Sequence, residues 1–182
     1  MHFIIIRALK KQEMYNKTMM ILKDNISGLD GLVKTEFSIK REGNVLFCHF
    51  NAYDSSLNSY SDKNNDRQFD GDVVEIFIDI GEKDSYLEIE VAPNGAIFVA
   101  NIKNLKVNFI DNSFVKSKVS IKGNDYFVDL VIDLSSFNII KPIRYNAFRI
   151  ETKNIKTNYI LLAVSPTLCD TFHVRDKFIA LE

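Results

Sequence analysis

Residues 72–80, DVVEIFIDI, constrain the fold more than any other part of the chain. Apolar side chains recur at every second position, the period of a pleated strand and not of a helix. Val74, Ile76 and Ile78 take one face; Val73, Glu75, Phe77 and Asp79 take the other. Gly81-Glu82-Lys83-Asp84 turns the chain, and residues 86–91 (YLEIEV) repeat the pattern, with Leu87, Ile89 and Val91 opposite Tyr86, Glu88 and Glu90. Pro93-Asn94-Gly95 is a second turn, since Asn and Gly accept positive φ, and residues 96–102 return as a third strand. The product is a meander with one dry face and one mixed face. A dry sheet face has to be covered by a second layer.

The rest of the chain supplies that layer. Strands are expected at 34–40, 44–53, 115–121, 126–132, 147–152, 159–164 and, briefly, 178–181, with Gly123-Asn124 turning one into the next. Helices do not alternate with them, which disfavours a parallel α/β sheet. The spacing predicts an all-β chain, an antiparallel β-sandwich of distorted jelly-roll character. One segment reads as a short N-terminal helix: 12–23, QEMYNKTMMILK, rich in helix formers, with Met19, Met20 and Leu22 for an apolar side. Residues 54–70 form a long polar loop dense in Ser, Asn and Asp, and loops of this length are often functional. With 182 residues, three prolines, seven glycines and no repeat or linker, residues 1–182 are expected to form a single domain.

Charge narrows the function. The formal net charge is −1 and the longest like-charge run is a pair such as Lys10-Lys11. No basic stripe for nucleic acid and no polybasic membrane patch is expected, and no stretch approaches the ~20 apolar residues of a membrane helix. The initial MHFIIIRALKK places its charges after its apolar run, unlike a secretory signal, so a cytoplasmic location is expected, or an extracellular one if a signal has been trimmed away. Cys48 and Cys169 sit in apolar surroundings and read as reduced thiols. His2, His49 and His173 lack zinc-site spacing. Ser135, Ser136 and Ser165 lack a Gly-x-Ser-x-Gly context, and no phosphate loop is present.

At residues 66–79 (DRQFDGDVVEIFID) an aromatic, two residues, Asp, two residues and Glu precede an apolar strand. This run resembles the signature of family 9 carbohydrate-binding modules. Residues 86–95 are similar to that family's next hairpin, 126–133 to a later strand, 146–150 (NAFRI) to its Asn-x-x-Arg strand, and Phe172-His173 through Phe178 to its closing segment. The resemblance spans roughly residues 35 to 182. It implies a β-sandwich that binds a mono- or oligosaccharide between two aromatic rings, with polar side chains on the hydroxyls and no catalysis. By position, Phe69 is the first ring, Glu75 a hydroxyl-binding carboxylate, Arg149 the strand's basic residue, and Phe172 the second ring with His173 beside it. This chain has no Trp, so phenylalanines stand where the family commonly has the larger indole.

Other readings of the same residues stay open. Phe69 can plug a sheet edge, Glu75 can be a solvated outer-face charge, and Arg149 can pair with Glu151. Glu75, Asp79, Glu88 and Glu90 share a face, either as a wet surface or as the paired carboxylates of a glycosidase. Asp62, Asn64 and Asp66 alternate oxygen ligands that suit a structural calcium, although the EF-hand glycine and terminal glutamate are missing; no other cofactor is expected. A sandwich whose sugar site has decayed into a protein-interaction surface is the main alternative function.

Overall fold

The computed structural model describes residues 19–53, 56–140, 142–152 and 159–181. Among the described residues, thirteen strands pair antiparallel in two sheets. The first is five-stranded, in the order β1 (Met20–Ile21), β3 (Thr35–Glu42), β4 (Val45–Tyr53), β10 (Asp125–Asp133), β9 (Val115–Lys122). The second runs β2 (Lys23–Asp24), β12 (Tyr159–Ala163), β11 (Arg144–Thr152), β5 (Val73–Asp79), β6 (Ser85–Val91), β7 (Ile97–Lys103), β8 (Lys106–Phe109), with β13 (Ile179–Ala180) also on β11. The chain changes sheet between β1 and β2, β2 and β3, β4 and β5, β8 and β9, and β10 and β11, which gives the jelly-roll-like crossing pattern expected of the sequence.

The dry face of the β5–β7 meander packs where its period-two pattern sends it. Val74, Ile76, Ile78, Leu87, Ile89, Val91 and Val99 meet Phe37, Phe50, Leu46, Val128, Leu130 and Ile132 of the other sheet in one core. Burial of this apolar area is the main term holding the layers together. Arg149 lies in this inter-sheet space and is fully buried. Its Nη1 donates to Thr35 Oγ1 at 2.9 Å and to the Tyr53 carbonyl at 2.7 Å, and its Nη2 lies 3.2 Å from Glu151.

The mixed face is not a wet face. Val73, Phe77, Tyr86, Phe98, Ala100, Ile102, Phe148 and Ile150 form a second apolar cluster on the outside of the sheet, covered by Phe172 and Phe178. All seven residues of β5 and all seven of β6 are buried. The cover is the C-terminal segment 165–181, tied down by polar anchors that the sheet provides. Asn146 accepts from the Ser165 N–H and donates to its carbonyl; Asn25 does the same service at Thr167 and Cys169. Arg144 donates to the Phe178 carbonyl, and Arg175 grips Asp79 with two hydrogen bonds of 2.7 and 2.8 Å.

The expected helix at 12–23 is corrected in part. Positions 12–18 lie outside the described residues, and 20–24 form the two short strands β1 and β2. Leu22 between them is buried while Ile21 and Lys23 are exposed, a period of two that overrides the local helix propensity.

Candidate functional site

Where the 56–70 loop, the mixed face of the meander and the C-terminal segment converge, they enclose an open cleft of about 300 Å³. Its walls are Phe69, Phe77, Phe98, Val107, Ile150, Leu161 and the run Asp170 to His173; its acidic groups at the strand face are Glu75, Glu88 and Glu90. Four of the five sequence-expected site residues, Phe69, Glu75, Phe172 and His173, therefore meet. The fifth, Arg149, does not: it points to the inter-sheet core and stabilises the fold.

The loop is fixed by the sheet it approaches. Asp72, fully buried, accepts from the Asn58 N–H (2.5 Å) and from both the backbone and hydroxyl of Thr152 (2.7 and 2.9 Å). Asn64 and Asn65 accept from the backbone N–H groups of Ile97 and Val99. Asn64 and Asp66 are two of the three residues expected to suit calcium; Asn64 accepts from the Ile97 N–H and Asp66 from the Arg67 N–H. Gly71 has no room for a side chain, since a Cβ there would lie 2.6 Å from the Tyr60 nitrogen. These ties deliver the 3-10 turn Gln68–Asp70 and its Phe69 ring to the rim. Phe69 is 38% exposed, with the Arg67 guanidinium 5.5 Å from its centroid.

The expected ring sandwich is altered. Phe172 is only 6% exposed and stacks on Phe148 at 4.2 Å and 18°, so one of its faces is already occupied. Phe69 is the half-free ring of the cleft. His173 is exposed, lies over Phe77 at 5.3 Å, and its Nδ1 is 2.5 Å from the Tyr86 hydroxyl. Desolvation holds its pKa below the ordinary histidine value, which keeps the ring neutral near pH 7.

The acidic groups are buried, which overturns the reading of Glu75 as a solvated charge. Glu75, Glu88 and Glu90 are 2%, 5% and 1% exposed, and one oxygen from each lies within 4.8 Å of the others. Glu75 and Glu90 are register partners across β5 and β6, and Glu88 is two residues along the same face. Burial, and for Glu75 and Glu90 the neighbouring carboxyls as well, raises all three pKa values; Glu88 is pushed up to about 7. Glu88 and Glu90 share a hydrogen bond, while Glu75 Oε1 and Glu90 Oε2 have no protein partner. Asp79, which shares this face in sequence, stands apart in the Arg175 ion pair. A larger hollow of about 400 Å³ at the end of the first sheet is lined by Val45, Phe114 and Lys116 among others, and brings none of the expected residues together.

The chain is thus a two-sheet antiparallel sandwich with a cleft on the outer face of its larger sheet, closed by the C-terminal segment. Among solved structures, a candidate carbohydrate-binding protein from Bacteroides uniformis ATCC 8492 superposes with TM-score 0.77 at 17% identity, over 96% of this chain and 88% of the other. A family 9 carbohydrate-binding module from Caldicellulosiruptor kristjanssonii matches in complex with cellotriose (TM-score 0.61, 18% identity, 83% and 73% covered) and with glucose (TM-score 0.62, 17% identity, 84% and 76% covered). The fold is that of the family 9 carbohydrate-binding modules, as the sequence resemblance implies. No family model and no curated protein matches the chain.

Proposed function

We propose that this chain is a non-catalytic sugar-binding module, and that its ligand sits in the cleft beneath Phe69. The observation that carries the reading is the pairing of a 38%-exposed ring with buried carboxyl oxygens that lack partners, Glu75 Oε1 and Glu90 Oε2. A pyranose has an apolar C–H face that packs on a ring and hydroxyls that donate to fixed acceptors. A cleft of about 300 Å³ lies at the small end of ligand sites, a size that favours a short saccharide or a chain end. Phe69 and His173 bound the ligand laterally; Glu75 and its neighbours fix its orientation. The contacts are side chains of this chain, so EDTA is expected to leave affinity unchanged.

Binding is favoured over hydrolysis by where the acids lie. A glycosidase needs its two carboxyls on either side of the scissile bond, with one of them ionised. Here the three sit together on adjacent strands, and burial favours their protonated forms.

Titration calorimetry against glucose, cellobiose, cellotriose and xylose tests the reading. Saturable heat with at least one sugar is expected, lost about tenfold or more in Phe69→Ala while the melting temperature is kept. A folded protein that gives no heat with any sugar at millimolar concentration, where the binding free energy is only about −4 kcal/mol, refutes it.

A further inference from the structure

For a neutral sugar the cleft holds more acid than its hydroxyls require. Three buried carboxyls meet at one point, Asp170 adds a fourth acid at the rim, and among the described residues no lysine or arginine lines the cleft. The bases nearby are committed elsewhere. Arg67 is 2.7 Å from Asp70 and Arg175 is 2.7 Å from Asp79. The one base in the lining, His173, is paired with Tyr86.

We infer that the ligand carries a cationic amine: it is an amino sugar, a hexosamine with a free ammonium group, held by Glu75, Glu88 and Glu90 together. This inference rests on the sugar-binding reading and specifies its ligand class. The geometry suits it. Three oxygens no more than 4.8 Å apart can all surround one nitrogen at about 2.8 Å, the length of a charge-assisted N–H···O bond. An ammonium offers three donors to three carboxyl groups, and two of these groups, Glu75 and Glu90, each have a buried oxygen without a protein partner, Oε1 and Oε2 respectively.

The surroundings favour an ammonium over a metal ion. Calcium requires six to eight oxygens at roughly 2.3–2.6 Å. The walls beside the triad, Phe77, Phe98, Phe172, Ile150 and Leu161, supply none, and the remaining polar side chains of the lining, Asp170, Thr171 and His173, are exposed at the rim. An amino sugar has an ammonium for the acids, C–H surface for these walls, and a ring face for Phe69. Its single positive charge offsets the cost of ionising one carboxyl of the triad, so binding draws a proton off the group while the others accept through their carbonyl oxygens. The other titratable groups facing them are His173, Tyr86 and Asp170.

Calorimetry at pH 7 with D-glucosamine, D-glucose, N-acetyl-D-glucosamine and calcium chloride decides the matter. Glucosamine is expected to bind at least tenfold more tightly than glucose. Acetylation, which removes the charge, should erase that advantage. The glucosamine heat should differ between buffers of different ionisation enthalpy, reporting proton release. Glu90→Gln, verified as folded by its melting curve, should lower the ratio of glucosamine to glucose affinity about tenfold, even though Glu90 also serves the neutral sugar and its loss weakens glucose as well. Equal affinities for glucose and glucosamine overturn the inference and leave the sugar reading intact. No heat from any sugar overturns both. Calcium binding that Glu90→Gln abolishes and glucosamine cannot displace assigns the triad to a metal and also overturns it.

Discussion

Replacing Glu88 with glutamine tests the electrostatics of the cleft without any ligand. Glu88 is 5% exposed and its pKa is raised from 4.5 to about 7, first by burial and in the opposite sense by its hydrogen bond with Glu90. A raised folded-state value means that the folded protein binds the proton more tightly than the unfolded chain. The associated stability is present below about pH 4.5 and is lost as pH rises through about 7. The span is about 2.5 units, and at 1.36 kcal/mol per unit this is about 3 kcal/mol. For a domain of this size that corresponds to roughly 6–12 °C in melting temperature.

Glutamine has the same shape, cannot ionise, and can still accept, through its Oε1, the hydrogen bond that protonated Glu90 donates to Glu88. Glu88→Gln should therefore match the wild type near pH 5 and exceed it near pH 8. The quantity to read is the difference between the two melting curves at each pH, followed by far-ultraviolet circular dichroism. His173 titrates with the opposite sign: its depressed pKa contributes stability above about 6.5 that is lost on acidification. That contribution is common to both proteins and cancels in the difference. A difference that stays flat from pH 5 to 8, or that grows toward acid, refutes the buried-carboxyl account of the cleft.

Arg175→Ala should cost about 2 kcal/mol at pH 7, because it removes two charge-assisted hydrogen bonds and leaves the buried Asp79 carboxylate short of donors; urea unfolding measures it. The pKa of Asp79 is lowered, since Arg175 and the Gly81 N–H outweigh burial. In the wild type this stability should hold above about pH 4 and fall away at lower pH, and acid titration of melting should show the variant lacking that step. Gly71→Ala, which drives a Cβ to 2.6 Å from the Tyr60 nitrogen, should displace the Phe69 turn and weaken sugar binding more than it lowers the melting temperature. Arg149→Met should destabilise the fold by about 3 kcal/mol, since it removes a fully buried guanidinium with its bonds to Thr35, the Tyr53 carbonyl and Glu151, and should alter sugar affinity little once the fraction folded is accounted for.

The sandwich was legible because its strongest signal is local. Period-two alternation in 72–80 and 86–91 needs no partner to be read, and it fixed which side chains enter the core between the sheets. β8 was missed because all four of its residues are exposed and carry no dry face. The N-terminal strands were misread because Met19, Met20 and Leu22 suit a helix by propensity, and only the pairing of Met20 with Phe37 and of Lys23 with Ala163 makes them extended. The site was half legible. The aromatic–Asp–Glu spacing marks Phe69 and Glu75, but the role of the middle residue, Asp72, appears only through Thr152, eighty residues away. Arg149 shows the limit of strand parity. Its register partner is Val74, an inward residue, so it belongs to the inter-sheet side, and that register cannot be read from either strand alone.

The misplaced expectation about the outer acids has a single physical cause. Glu75, Glu88 and Glu90 alternate with apolar residues as solvent-facing charges do, and on a bare sheet they would be solvent-facing. What buries them is the segment 165–181, anchored by Asn25, Asn146 and Asp79. The anchors are ordinary polar residues, Asp79 and Asn146 on two strands and Asn25 in the turn after β2. Apart from Asn146, in the Asn-x-x-Arg strand, nothing in their local sequence distinguishes them. Once the segment is in place, the same face that would have been wet becomes an apolar cluster with an acidic pocket inside it, and burying acid without a cation is costly unless something supplies one. The protonated forms meet that cost in the free protein, and a cationic ligand is what would relieve it. The cover that creates the cleft is therefore also what sets its preference. Loosening that cover with Arg175→Ala should weaken glucosamine more than glucose, because hydration of the triad removes the advantage of the charge before it removes the shape of the cleft. A parallel loss for both sugars would separate cover from selectivity and refute the connection.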